Sequence, residues 1–231
     1  MTKIYSYVLR FDDGGAPNPF WDTCTLTICK PAIRRKASIG DWVIGTGSKN
    51  AKCNDGIVHN LEDCIVYAMK ISDIKTLQEY DDFCKTSLPN KIPNWRSSDW
   101  RLSMGDCIYD YTNRIDPIIR KGVHDEGNRK KDLSGINALL SDNFYYFGER
   151  AIFLPSYLKD LIKRNQGHKK IENINLISKF EEWIIKLPKN MVCADPQMRS
   201  EFDKELTDDI IAKCAKRHFD EDEDETEETI C

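Results

Sequence analysis

What the sequence lacks narrows the field first. No stretch approaches the ~18 apolar residues that a membrane-spanning helix requires. There is no C-x-x-C, no H-E-x-x-H, no G-x-S-x-G and no set of carboxylates at metal-ligand spacing. No metal and no cofactor is therefore expected. Histidine is scarce, with four in 231 residues. The opening residues MTKIYSYVLRFDDGG carry one Lys and an alternating pattern. A secretory signal would show an apolar block and a small-residue cleavage site, so a cytoplasmic location without membrane contact is expected.

Cysteine, by contrast, is plentiful. The nine cysteines are odd in number and far from any pair of histidines at zinc spacing. A reducing compartment disfavours disulfides, so they read as small buried hydrophobes. The net charge of −4 hides an asymmetry: Asp220 to Glu228 hold eight of the 38 acids and none of the 34 bases. The body thus carries 34 bases against 30 acids, a net of +4. A block of like charge repels itself, which predicts a disordered, solvated tail over 220–231. A sharper alternative is an acidic strip that competes with nucleic acid for a basic groove.

β-branched and aromatic runs predict strands at Lys3–Phe11, Cys24–Cys29, Asp41–Gly45, Cys64–Ile71 and Cys107–Tyr111, with Asn137–Leu140 and Phe144–Phe153 forming a hairpin. Cys64–Ile71 is nearly all apolar and reads as a central strand buried on both faces. Ser72 resembles a helix N-cap with Asp73 in the first turn. Gly122–Ser134 and the NQGHKK segment read as loops. Helical spacing appears in Ser156–Arg164, in Asn173–Leu187 and in Ser200–Phe219. Strands first and helices late predict an α+β fold with a strongly curved or barrel-like sheet.

The segment KASIGDWVIGTGS, residues 36–48, poses the sharpest question. Gly45-Thr46-Gly47-Ser48 comes after a strand as a phosphate loop would, but no helix start and no Gly-Lys-Ser element come after it. Gly40-Asp41 reads instead as a turn into a strand whose far end is open to a base or a phosphate. Among the aromatics, Trp21 lies in a loop and is the natural pocket wall. Basic groups at Lys30 and Arg34 to Lys36 suit phosphates. Acid–base candidates are few: His168 in a loop between two helices, His124 ahead of Asp125-Glu126 in a polar loop, and Asp41.

The stretches YSYVLRFDDGGAPNPFWDTCTLTICKPAIRR, IGDWVIGTGS, FYYFGERAIFLP and QGHKK together resemble the nucleotide modification associated domain family of the second type. That family occurs in bacteria and phages, near genes for modified nucleotides or for defence. The resemblance implies a PUA-like domain over residues 1–190, a curved sheet or small β-barrel with C-terminal helices. A helical extension over 191–219 and the tail would complete the chain. It also implies a module that binds a nucleotide or nucleic acid, with or without a modified base, at the barrel mouth. In such a pocket Trp21 and Tyr146 would stack, Asn18 would read an edge, Thr46 and Ser48 would form the rim, and Lys30 and Arg34 would meet phosphate. The alternatives are an enzyme acting on a modified nucleotide, with His168 or Asp41 in acid–base work, and an adaptor docking a partner modification or defence enzyme.

Overall fold

The apolar run Cys64–Lys70 lies inside a seven-stranded sheet and is buried along nearly its whole length. The computed structural model describes residues 1–112, 115–202, 207–221 and 227–230. Its strands are β1 (Ile4–Leu9), β2 (Cys24–Leu26), β3 (Trp42–Gly47), β4 (Ala51–Lys52), β5 (Val58–His59), β6 (Cys64–Lys70), β7 (Asp73–Thr76), β8 (Tyr109–Asp110), β9 (Ile118–Ile119), β10 (Asn137–Ser141), β11 (Phe144–Tyr146), β12 (Ile152–Phe153), β13 (His168–Ile171) and β14 (Glu227–Ile230). Its helices are α1 (Pro31–Lys36), α2 (Leu77–Thr86), α3 (Trp100–Ser103), α4 (Glu126–Ser134), α5 (Ile174–Ile184) and α6 (Asp208–Glu221).

The large sheet runs β11-β6-β3-β1-β13-β14, with β12 also on β6. β1 and β3 are parallel, from Ile4 opposite Trp42 to Leu9 opposite Gly47. β13 joins β1 antiparallel, and β6 joins β3 antiparallel with a register shift at Gly45/Thr46. A second sheet of three strands runs β2-β10-β7. The architecture is mixed α and β, and the large sheet does not close into a barrel. The expected barrel is thereby corrected to an open sheet with β11 and β14 at its ends.

Side-chain alternation assigns each face its cover. On one face Ile4, Trp42, Ile44 and Ala68 pack against Ile177, Phe180 and Ile184 of α5. On the other, Tyr5, Tyr7, Val43, Tyr67 and Met69 meet Leu26 and Leu139 of the smaller sheet. Asp41 fixes the turn into β3 by accepting from the N–H groups of Lys3 (2.8 Å) and Ser38 (3.0 Å). Gly40, at φ +91°, supplies the left-handed residue of that turn. Gly45 and Gly47 have no room for a side chain, since a Cβ would strike the Tyr67 ring and the Leu61 backbone.

Several local expectations change. Ser72 does not cap a helix: residues 73–76 pair with β10 as β7, and Thr76 caps α2 in a reciprocal capping box with Glu79. The polar segment after Gly122 contains α4, capped by Asp125. β10 and β11 do not form a hairpin with each other, because they belong to different sheets. His168 to Ile171 form a strand rather than a loop, and Ser156–Leu161 is a 3₁₀ helix. Most of the acidic run, 222–226, lies outside the described residues. Glu227–Ile230, within the expected tail, form the largely exposed edge strand β14, parallel to β13.

Two buried cations hold the loops to this frame. Lys91 Nζ donates to the Asn18 and Thr23 carbonyls, to Asn18 Oδ1 and to Thr25 Oγ1, all within 3.0 Å. The Arg34 guanidinium donates to the carbonyls of Cys29, Asn137 and Asp132 at 2.6–2.8 Å. A buried acid marks the core as well. Burial pushes the Asp12 carboxyl up to about 7, although it accepts from the Tyr146 hydroxyl at 2.7 Å. The folded chain thus binds a proton more readily than the unfolded one, and this carboxyl's contribution to stability is lost as pH rises from about 4 to about 7. The Asp12→Asn variant, tested by urea denaturation across that range, is expected to gain on the wild type as pH rises, by up to about 1.4 kcal/mol per pH unit. A difference that stays constant with pH would contradict this protonation.

Candidate functional site

Parallel pairing brings the C-terminal ends of β1 and β3 side by side, and a cleft of about 230 Å³ opens there. Val8 and Arg10 come from the end of β1, and Gly47, Ser48 and Lys49 from the end of β3. Lys30, just before α1, and Glu62, before β6, add two further walls. The segment Lys163–Gly167, which leads into β13, closes the circle. Five bases thus face one acid.

The cations are held in distinct ways. Lys30 Nζ lies 4.8 Å from the centre of the Tyr7 ring, whose hydroxyl is 2.8 Å from that of Tyr67. Arg164 pairs with Glu62 at 3.0 Å. Lys163 pairs with Glu228 of β14, also at 3.0 Å. The same strand sends Glu227 to Lys36 and to His168 Nε2, both at 2.9 Å. Burial would raise the Glu227 carboxyl, but hydrogen bonds from Lys36 and His168 outweigh it and hold the group below its ordinary value. The Lys163 hydrogen bond does the same for Glu228. The carboxylates of β14 therefore occupy the cationic rim beside the cleft. The cleft is smaller than the ~300–1,000 Å³ that encloses a drug-sized ligand.

The residues singled out from the sequence do not converge on one cavity. Lys30 and Ser48 line the cleft. His168 begins β13 next to Gly167, buried against the Tyr5 ring at 6.0 Å. Thr46 is fully buried and donates to the Tyr7 carbonyl. Asn18 is likewise buried, its amide donating to the Met104 carbonyl while its oxygen accepts from Lys91. Tyr146 is sealed in the core on Asp12, so it offers no face for stacking. Arg34 is turned inward to three carbonyls and does not reach the cleft. Asp41 is spent on its turn. Trp21 lines a separate cleft of about 490 Å³ with Phe20, Arg101, Phe144 and Met191, and the Arg101 guanidinium lies 4.9 Å from the centre of its ring.

Arg10, Lys49, Lys163 and Arg164 were not among the expected site residues. The adjacent bases Lys163-Arg164 ahead of a Gly turn were the available signal, but only the pairing of β13 with β1 brings them to the cleft. Among the described residues, no group of three or more His, Cys, Asp or Glu side chains is placed to hold a metal, and no helix is long and apolar enough to cross a membrane.

No curated protein and no solved structure matches this chain. A family model, however, covers residues 1–204, nearly nine-tenths of the sequence, and includes every wall of the cleft. By that match the chain belongs to the nucleotide modification associated domain 2 family.

Proposed function

We propose that this protein is a nucleotide-recognition module of a bacterial or phage nucleic-acid modification or defence system. It takes the phosphate end of a nucleotide, with or without a modified base, in the cleft at the ends of β1 and β3. The observation that carries this reading is the charge of the cleft: Arg10, Lys30, Lys49, Lys163 and Arg164 line it with one acid, Glu62, while Glu228 and Asp63 reach Lys163 and Arg164 from outside the lining. Phosphate is the anion that so dense a set of Lys and Arg serves best. The amides of Asn165 and Gln166 supply neutral hydrogen-bonding groups at the same rim. Gly167, at φ +83°, lines the same rim. The family's association with nucleotide modification points to the same ligand class. A PUA-like reader is the nearest functional analogy, with the base held at a strand end of an open sheet instead of a barrel mouth.

The strand β14 acts in this reading as an internal competitor. Its carboxylates sit on Lys36, Lys163, Lys169 and His168, and a phosphate arriving at Lys163 has to displace Glu228. The acidic run thereby keeps the cationic rim from weak, unselective anions.

Two measurements test the proposal. Lys30→Met should weaken binding of a nucleoside 5′-monophosphate about tenfold by calorimetry at low salt, with the thermal melt little changed; an unaltered Kd would remove Lys30 from the site. Truncation after Glu221 should tighten the same binding by about threefold or more at low salt, and the gain should shrink in 0.5 M salt as screening weakens exposed ion pairs. Equal affinity with and without the tail would show that β14 does not compete.

A further inference from the structure

Cys29, which directly precedes the cleft residue Lys30 in the chain, joins two other buried side chains in a relay that nucleotide binding does not use. Cys29 Sγ lies 3.4 Å from Nε2 of His124, and Nδ1 of His124 lies 2.6 Å from Oδ2 of Asp132. The three residues are each at most 2 % exposed. The order thiol, imidazole, carboxylate is that of a nucleophile, its base and the group that orients the base.

The backbone around the thiol is held in an unfavourable shape. Cys29 and Lys30 both have left-handed φ angles, +57° and +43°, with no glycine to relieve them. Strain of this kind persists where the surroundings over-determine it. Here the clamps are visible. The Cys29 N–H donates to Asp132 Oδ1 at 3.0 Å, and the Cys29 carbonyl accepts from Arg34 Nε at 2.8 Å. Asp132 therefore fixes both the nucleophile's backbone and the ring of its base. It also accepts from the Tyr109 hydroxyl at 2.8 Å. Burial would raise the Asp132 carboxyl, but His124, Arg34 and the Cys29 N–H outweigh that and keep it below its ordinary value. The setting is a strand, a strained turn bearing the nucleophile, and then a helix, a layout that presents catalytic nucleophiles elsewhere. Burying a thiol, an imidazole and a carboxylate together is a poor way to stabilise a core, since apolar side chains of equal volume cost less desolvation.

We propose that Cys29, His124 and Asp132 form a cysteine acyl-transfer centre, whose substrate is an ester or amide carried by the nucleotide that Lys30 helps to hold. This rests on the nucleotide reading of the cleft. Cys29, His124 and Asp132 do not themselves line the cleft, but Lys30, which does, directly succeeds Cys29, so in this proposal the acyl group reaches the thiol when the Lys30 wall yields. His124 Nε2 takes the proton from the thiol, and the sulfur attacks the carbonyl carbon. The C–S bond forms as the carbonyl π pair moves to oxygen. Collapse of the adduct expels the alcohol or amine, which takes the proton from His124, and leaves a thioester on Cys29. Water, deprotonated by His124, then attacks the thioester and releases a carboxylic acid, and the proton returns to sulfur. The sum is hydrolysis of one ester or amide by one water.

The test uses small probes on the full chain, because the thiol is enclosed. With iodoacetamide at pH 6, where an ordinary thiol of pKa near 8.5 is almost all protonated, mass mapping should show Cys29 alkylated at least tenfold faster than the partly exposed Cys53 and Cys193. With p-nitrophenyl acetate, a burst near one p-nitrophenolate per chain should accompany an acetyl group on Cys29, and Cys29→Ser should abolish the burst. His124→Asn should slow both reactions at least tenfold; if that variant fails to fold, the wild-type alkylation order and the burst decide alone. Alkylation of Cys29 no faster than Cys53 and Cys193, or no acetyl on Cys29, would overturn the proposal. Neither probe contains a nucleotide. An acylated Cys29 in a protein that binds no nucleoside monophosphate would therefore retain the triad and refute only the nucleotide reading, and the reverse result would refute only the triad.

Discussion

The parallel pairing of β1 with β3 is the constraint on which the other features depend. Parallel neighbours cannot be joined by a tight turn, so the chain must leave the end of β1 and travel back before it enters β3. The crossover spans residues 10–41 and carries β2, the Pro-Asn loop and α1. It starts at the end of β1 beside the end of β3, so its own residues are available to wall the space between them. Arg10 and Lys30 do so, and Cys29 directly precedes Lys30 in the chain. Backbone register thus decides which side chains can meet a ligand.

A crossover so rich in turns needs anchoring, and buried cations provide it. Lys91 gathers the carbonyls and hydroxyls of the Pro-Asn loop and β2, while Arg34 ties the end of the crossover to α4 and β10. Each takes up several acceptors that would otherwise be buried without partners. Removing one such cation leaves its acceptors unpaired, which is far costlier than losing one exposed ion pair. The loops of the crossover therefore owe their shape to interior electrostatics, while the bases of the cleft, the buried Lys163 apart, keep contact with solvent.

Much of this frame was legible in the sequence. The apolar run of β6, the turn and strand around Asp41–Gly47, and the i, i+3, i+4 spacing of α5 each reflect local periodicity that tertiary packing reinforces. Where local and tertiary signals competed, the sequence misled. Ser72-Asp73 has the chemistry of a cap, but pairing with β10 made residues 73–76 a strand. α4 has almost no apolar stripe and owes its helix to caps and to contact with α6. Of the residues expected from the sequence, Lys30 and Ser48 line the candidate cleft, since loop bases and glycine-flanked strand ends are local features. Arg34 was misread because its burial depends on residues about a hundred positions away. Lys163 and Arg164 were missed because only the β13–β1 register places them, and the contact of Cys29 with His124 was invisible because it joins residues 95 positions apart.

The acidic run shows how composition can conceal a contact. Eight acids in nine residues read as a solvated tail, but Glu227 and Glu228 return to Lys36, Lys163 and His168. Charge complementarity with the rim, not apolar burial, makes this last strand. The same rim and cleft are proposed to receive phosphate, and the most direct measurement is a backbone NMR titration of the full chain with a nucleoside 5′-monophosphate. The largest shifts should fall at Val8–Arg10, Gly47–Lys49 and Lys163–Gly167, with release of β14 at higher ligand concentration. Shifts confined to the Trp21 cleft, or none at all, would contradict it.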